Sequence, residues 1–279
     1  LVVMHATNIF LNWVFIFGNL GAPALGAEGA GLASALSTAV GLSIYVLLGL
    51  RHARDHGFLK HLPTGKDFVR LLTLSLPAGI QQLFFSTGFV VLFWIIGQVG
   101  TRELAGASVL VTLLLVALLP GLGLGLAAST LVGQALGRGE TDDAEQWGWD
   151  VAKVAALLMA VIGLPVVVIP DPIIGVFIRD AETLGITRLP AQIMGVSMVM
   201  EALGMVMMHA LLGAGDARRV MLITVSMQWI LFLPMAYVAG PVLGQGLLTI
   251  WLLQGVYRAV QAGILARLWS RKAWALIEV

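Results

Sequence analysis

The chain has 279 residues, 59% of them hydrophobic and 11% charged, with a mean hydropathy of +0.95. Soluble domains carry about 25% charged residues, and a chain this apolar exceeds what a domain of its size can bury, which excludes a water-soluble globule. A net charge of +1 offers no basic field to nucleic acid, and the lack of cysteine excludes disulfides, thiolate zinc sites, iron–sulfur clusters and cysteine nucleophiles.

A helix crosses the hydrocarbon core of a bilayer with about 20 apolar residues, because every backbone amide must find its partner within the span. Long uncharged tracts therefore read as spans. The first covers about 1–18 and ends in a turn carrying Gly18, Gly21 and Pro23; the second runs over about 28–50 and stops at Arg51. A third lies between Arg70 and Arg102, and a fourth between Glu103 and Arg138. The fifth, about 150–170, is entered through Gln146-Trp147-Gly148-Trp149, an interfacial composition, and stops at Pro170-Asp171-Pro172. The sixth, about 189–213, is interrupted only by Glu201 and His209. From Val220 to Tyr257 the chain runs 38 residues without a charge, too many for one span, and Gly240-Pro241 divides it into a seventh and an eighth. The fold class is thus an all-α, multi-pass membrane helix bundle with about eight spans.

Lys and Arg are retained on the cytoplasmic side during insertion. Arg51, Arg54, Lys60, Lys66, Arg70, Arg138, Lys153, Arg218, Arg219, Arg267, Arg271 and Lys272 fall on one side, against Arg102, Arg179 and Arg188 on the other. The tail is therefore expected in the cytoplasm of a cell (inner or plasma) membrane protein. Leu1 is expected on the same side, and the residues from Leu1 onward show no basic segment or cleavage site of a signal peptide.

Two turns repeat. Asn12-Trp13 followed by Pro23-Ala24-Leu25-Gly26-Ala27-Glu28-Gly29 matches Gln228-Trp229 followed by Pro241-Val242-Leu243-Gly244-Gln245-Gly246, at an offset of 218 residues. Six spans separate the matched hairpins, which run in the same direction, as in a pair of six-helix lobes related by an axis along the membrane normal. In such a pair, four helices preceding Leu1 are expected.

Ionisable groups at membrane depth are costly, about 2.5–3.5 kcal/mol on insertion scales, so each is a functional candidate. Glu201 is the foremost: a carboxyl there exchanges a proton or Na⁺, or serves as a structural ion pair. His209 lies two turns on, near the same face, as a proton relay or a hydrogen-bonded interface residue. Gln254, Arg258 and Gln261 form one stripe; Arg258 either approaches Glu201 or extends toward the cytoplasmic headgroups. His5, Asn8 and Asn12 share a face suited to a polar lining or to interhelical packing. Gln81 and Gln82 follow Pro77 on the third span, with Ser86 and Thr87 after them. The glycine-rich Pro120-Gly121-Leu122-Gly123-Leu124-Gly125 lacks the Lys-Ser/Thr of a phosphate loop and reads as helix packing or a bend. Met198, Met200, Met205, Met207 and Met208 either line an adaptable pocket or pack, and Asp142-Asp143-x-Glu145 reads as solvated acids at a helix start. His5, His52, His56, His61 and His209 show no metal-ligand spacing.

Asn8-Ile9-Phe10-Leu11-Asn12 through Gly18, with Gly21-Ala22-Pro23-Ala24-Leu25-Gly26 and Gly29-Ala30, resembles the fifth and sixth helices of multidrug and toxic compound extrusion (MATE) transporters. Leu76-Pro77-Ala78-Gly79, Phe89 and Gly97-x-x-Gly100-Thr101 with Leu104-Ala105 resemble the seventh helix and the turn after it. Ala127-Ala128-x-x-Leu131-Val132-Gly133-Gln134-x-Leu136-Gly137 resembles the end of the eighth, and Leu212-Gly213-Ala214-Gly215-Asp216 the end of the tenth. The resemblance covers essentially the whole chain. It implies helices five to twelve of a twelve-helix, two-lobe transporter: residues 1–50 as the last two helices of the N-terminal lobe, 51–70 as a cytoplasmic linker, 71–268 as the C-terminal six-helix lobe and 269–279 as a cytoplasmic tail. An acid fifteen residues before the turn's aspartate is associated with cation coupling in the family, and counting back from Asp216 reaches Glu201. Where many members carry a glutamate eight residues after the proline of the seventh helix, this chain has Phe85, which puts a two-carboxylate site in doubt.

The implied function is a secondary antiporter, not an enzyme, that exports small organic cations in exchange for H⁺ or Na⁺ by alternating access. Glu201, Arg258 and His209 are the ion-coupling candidates, and Asn8, Asn12, Gln81, Gln82 and Gln254 the candidates for the substrate cavity. Its partners are the lipid bilayer, the organic cation, the coupling ion and the missing N-terminal helices; no cofactor, metal or nucleic acid is implied. A flippase for lipid-linked saccharides would need more basic residues in the cavity, and an integral-membrane enzyme would need a clustered acid–base or metal set.

Overall fold

The computed structural model describes residues 2–54, 57–58 and 64–276; Leu1, His56, Lys60 and His61 lie outside them. The regular elements among the described residues are helices. They are α1 (Val2–Phe17), α2 (Ala27–His52), α3 (Gly65–Val99), α4 (Thr101–Gly137), α5 (Thr141–Val168), the short α6 (Pro170–Gly175), α7 (Ala181–Gly213), α8 (Ala217–Val242) and α9 (Leu247–Ser270). Within α8, Met227–Phe232 and Val238–Val242 are π-helical.

Among the described residues six helices, α2, α3, α4, α5, α7 and α8, are long and apolar enough to cross a membrane. α1 is apolar but 16 residues long, and α9 has the length, at 24 residues, but carries Gln254, Arg258, Gln261 and Arg267. The helices outrun the tracts that marked them. α5 begins at Thr141 rather than near 150 and takes in Gln146–Trp149, and α7 begins at Ala181 rather than near 189 and passes through Pro190. Charges and interfacial residues mark where a helix leaves the bilayer, whereas its own end is set by caps. The Asp180 carboxylate accepts from the Thr183 amide at 2.9 Å and its hydroxyl at 2.6 Å, and so starts α7.

The surface of α5 shows how these helices are solvated. Val151, Ala155, Met159 and Val166 are buried, while Leu157, Val161, Leu164 and Val168, on the opposite face, are 61–69% exposed. An apolar stripe of this length is unstable against water and natural against lipid tails.

The chain divides into two compact units, residues 1–69 and 70–279. In the first, α1 and α2 form a hairpin. In the second, α7 is the hub, packing along α4, α5 and α9 and contributing Met194, Met198, Val206, Met207, Ala210 and Leu211 to the core. Gly26 and Gly244 stand at equivalent positions of the matched turns and both have positive φ, 57° and 65°.

The chain after α9 is tied down. Trp274 is fully buried, its ring stacked on Trp269 at 4.2 Å and 9°, and its Nε1 donates to the Trp269 carbonyl at 2.8 Å. Lys272 reaches both Asp142 and Glu145 at 2.7 Å. The acids at the start of α5 are therefore not merely solvated: two of them hold the chain that follows α9, and Asp143 pairs with Arg138 at 2.9 Å.

Candidate functional site

The second unit encloses a cavity of about 290 Å³ between α3, α4, α7, α8 and α9. Its walls are mainly apolar, from Phe85, Leu118, Leu122, Met200, Met205 and Met208, with polar groups from Gln81, Gln82, Glu201, His209, Thr224, Gln228, Tyr257, Arg258 and Gln261. The methionines split as their helical positions require: Met198 and Met207 belong to the core, and the other three face the cavity.

Glu201 and Arg258 meet in its wall. Arg258 Nε lies 3.1 Å from Glu201 Oε2, with the two side chains 13% and 15% exposed. The guanidinium is thus turned onto the carboxylate rather than toward the headgroups. The contact is Coulombic: the Nε–H is buried and not aligned on any acceptor. Arg258 Nη1 donates to Gln261 Oε1 at 3.1 Å. The guanidinium carbon sits 5.1 Å from the centroid of the Tyr257 ring and 5.7 Å from that of Phe85, so two aromatic rings hold the cation in place. Phe85, where the family resemblance leads one to expect a carboxylate, therefore faces a cation as a ring. Breaking such a pair by removing one member costs about 3–5 kcal/mol, because the other charge is left buried.

His209 also lines the cavity, but its ring is committed to packing. Its Nδ1 lies 2.9 Å from the Met205 carbonyl, which can only accept, so Nδ1 carries the proton and Nε2 is the free acceptor. The ring fills the space beside Gly125, while Gly121, one turn earlier, faces Met159 and Met205, so the glycine-rich segment of α4 is a packing face. Gln81 Nε2 lies 2.9 Å from Met208 Sδ. Gln254 lines a small adjoining pocket with Phe232, Gln228 and Arg258, and its buried Oε1 lacks a partner.

Asn8 and Asn12 lie in the first unit and are not among the residues that line this cavity. Asn8 Nδ2 donates to Ser37 Oγ at 3.2 Å, and Asn12 Nδ2 donates to Asn8 Oδ1 at 3.0 Å, which joins α1 to α2. Four polar cavity residues carried no site assignment from sequence: Thr224, Gln228, Tyr257 and Gln261. Gln261 was legible in the Arg258 stripe, and Gln228 as an amide inside a charge-free tract. Its Nε2 lies 3.4 Å from the Phe85 carbonyl and packs against Gly88. Among the described residues no group of three His, Cys, Asp or Glu is placed to hold a metal ion.

Comparison with known proteins is consistent across sequence and fold. The chain is 29% identical over 250 residues to a protein named probable multidrug resistance protein NorM from Thermotoga maritima, covering 88% of this chain and 53% of the relative. A transporter of Bacillus subtilis called uncharacterized transporter YisQ is 23% identical, over 97% of this chain and 60% of its own length. A solved outward-facing multidrug resistance MATE family transporter superposes with a TM-score of 0.84 at 20% identity, over 100% of this chain and 62% of that one. The chain thus spans between half and two thirds of the length of these proteins. The family model MatE matches residues 77–238, more than half of the chain and the segment holding most of the cavity wall. This chain belongs to the MatE family of membrane transporters.

Proposed function

We propose that the chain works as part of a secondary antiporter that exports organic cations and other drugs in exchange for inward H⁺ or Na⁺, by rocking two lobes between outward- and inward-open states. The names of the relatives support multidrug export, and the observation that carries the coupling role is the buried Glu201–Arg258 pair in the cavity wall. A carboxylate at this depth is the natural seat of a coupling ion, and here that ion must compete with a resident guanidinium. Binding H⁺ or Na⁺ at Glu201 displaces Arg258 and leaves its charge unmatched, a cost that makes the ion-bound state transient, and return of Arg258 expels the ion. The two bound states thus differ in charge arrangement, which a conformational equilibrium needs if a ligand is to shift it. In this reading the cytoplasmic face carries the basic loops and the tail, and residues 1–50 contribute two helices to the partner lobe.

A saccharide flippase is less well supported, since it would need more basic residues in the cavity and Arg258 is the only Lys or Arg among the described residues that line it. The test is cation efflux by the protein expressed from its full reading frame, comparing wild type with Glu201→Gln under imposed pH and Na⁺ gradients. Loss of gradient-driven efflux in the variant is expected; unchanged efflux removes Glu201 from the mechanism.

A further inference from the structure

The cavity pairs one buried negative and one buried positive charge at contact distance, beside a wall of methionine and aromatic side chains. The charge class of ligand that such a site accepts can be worked out. A simple cation takes Glu201 and strands Arg258 inside the protein; a simple anion takes Arg258 and strands Glu201. Either leaves a buried charge unmatched. A ligand whose own ammonium and carboxylate are adjacent satisfies both at once, in a four-charge array with each ligand charge opposite its complement.

Four further observations point the same way. The Arg258 Nε–H, in the cavity wall, is buried and not aligned on any acceptor. The Phe85 and Tyr257 rings both lie within cation–π distance of the guanidinium, at 5.7 and 5.1 Å, which restrains it. The cavity, at about 290 Å³, falls at the bottom of the range of about 300–1,000 Å³ that holds drug-sized ligands, so it fits a small solute or one end of a larger one. Met200, Met205 and Met208 supply a soft wall for an apolar or aromatic tail.

We propose that this cavity is a binding site for an apolar α-amino acid, its carboxylate on Arg258, its ammonium on Glu201 and its side chain against the methionines. The proposal rests on the transporter reading for the passage of the ligand across the membrane, but not for its binding.

The experiment is therefore equilibrium binding to the purified protein, expressed from its full reading frame and held in nanodiscs, with organic-cation efflux measured separately. The probes are L-phenylalanine, phenethylamine, which keeps only the ammonium, and 3-phenylpropionate, which keeps only the carboxylate. Saturable binding of phenylalanine is expected, with each half-ligand at least about tenfold weaker. Glu201→Gln and Arg258→Gln should each lose phenylalanine by a similar factor. The double variant Glu201→Gln/Arg258→Gln, which leaves no orphan charge, should melt near wild type and still fail to bind it. Phenethylamine binding as tightly as phenylalanine overturns the proposal in favour of a cation site, as does undiminished phenylalanine binding by the double variant. Absence of phenylalanine binding in protein that still exports organic cations overturns this proposal while leaving the transporter reading intact.

Discussion

The His209 imidazole on α7 occupies the space that a side chain at position 125 of α4 would need: a Cβ there would lie 2.7 Å from Nδ1 and 2.9 Å from Cγ. This contact fixes how closely the two helices approach beside the cavity. Gly125→Ala should therefore destabilise the protein by about 1–3 kcal/mol, the cost of overpacking a filled core. Pairing it with His209→Ala should recover much of the loss. Thermal melting of the two single variants and the double in detergent checks this; additive losses would contradict the contact.

The Glu201–Arg258 pair predicts an order of stabilities. Glu201→Gln and Arg258→Gln each leave one buried charge and should cost about 3–5 kcal/mol, whereas the double substitution should cost less than either. Melting temperatures in one detergent give the order directly, and a double variant less stable than both singles would show that the two charges do not interact.

Trp274 predicts that the segment after α9 is structural. Its ring is fully buried against Trp269, so Trp274→Ala should cost about 3–5 kcal/mol. Trp274→Phe, which keeps a stacking ring but loses the bond to the Trp269 carbonyl, should cost less. Melting curves of the two variants decide the order.

Lys272 supplies a pH dependence. Hydrogen bonds that it donates to Asp142 and Glu145 push its ammonium from 10.5 up to about 12. A raised folded-state value means that the stabilisation is fully present below 10.5 and fades as pH rises through about 12. The difference in melting temperature between wild type and Lys272→Met should accordingly be constant from neutral pH to that lower bound and shrink above it. A difference that disappears already near neutrality would contradict the clamp.

The membrane class and the helices were legible because charge-free tracts of the right length report directly on hydrocarbon solvation. Helix ends were less so: Asp180 starts α7 well before the span start expected near 189, and Pro190 lies inside the helix. At the site, Glu201 and Arg258 stood out because charges inside apolar tracts are conspicuous. Their pairing was one of two readings, since an arginine stem can reach in either direction and only packing against Phe85 and Tyr257 selects one. Asn8 and Asn12 were legible as a polar face, with interhelical packing as one of its two readings, but their partners Ser34 and Ser37 across the hairpin were not. Thr224 and Tyr257 carry no sequence signal apart from the tracts around them, and only the fold brings them to Glu201.

The most direct test of the account is a charge exchange at the pair. Organic-cation efflux would be measured for the protein expressed from its full reading frame as Glu201→Arg, Arg258→Glu and the two combined. Each single variant places two like charges in one buried site and should lose most of the efflux, and the exchanged pair should recover a substantial part. Efflux that stays absent in the exchanged variant, although it folds and melts like wild type, would contradict the claim that this ion pair is the working centre of the transporter.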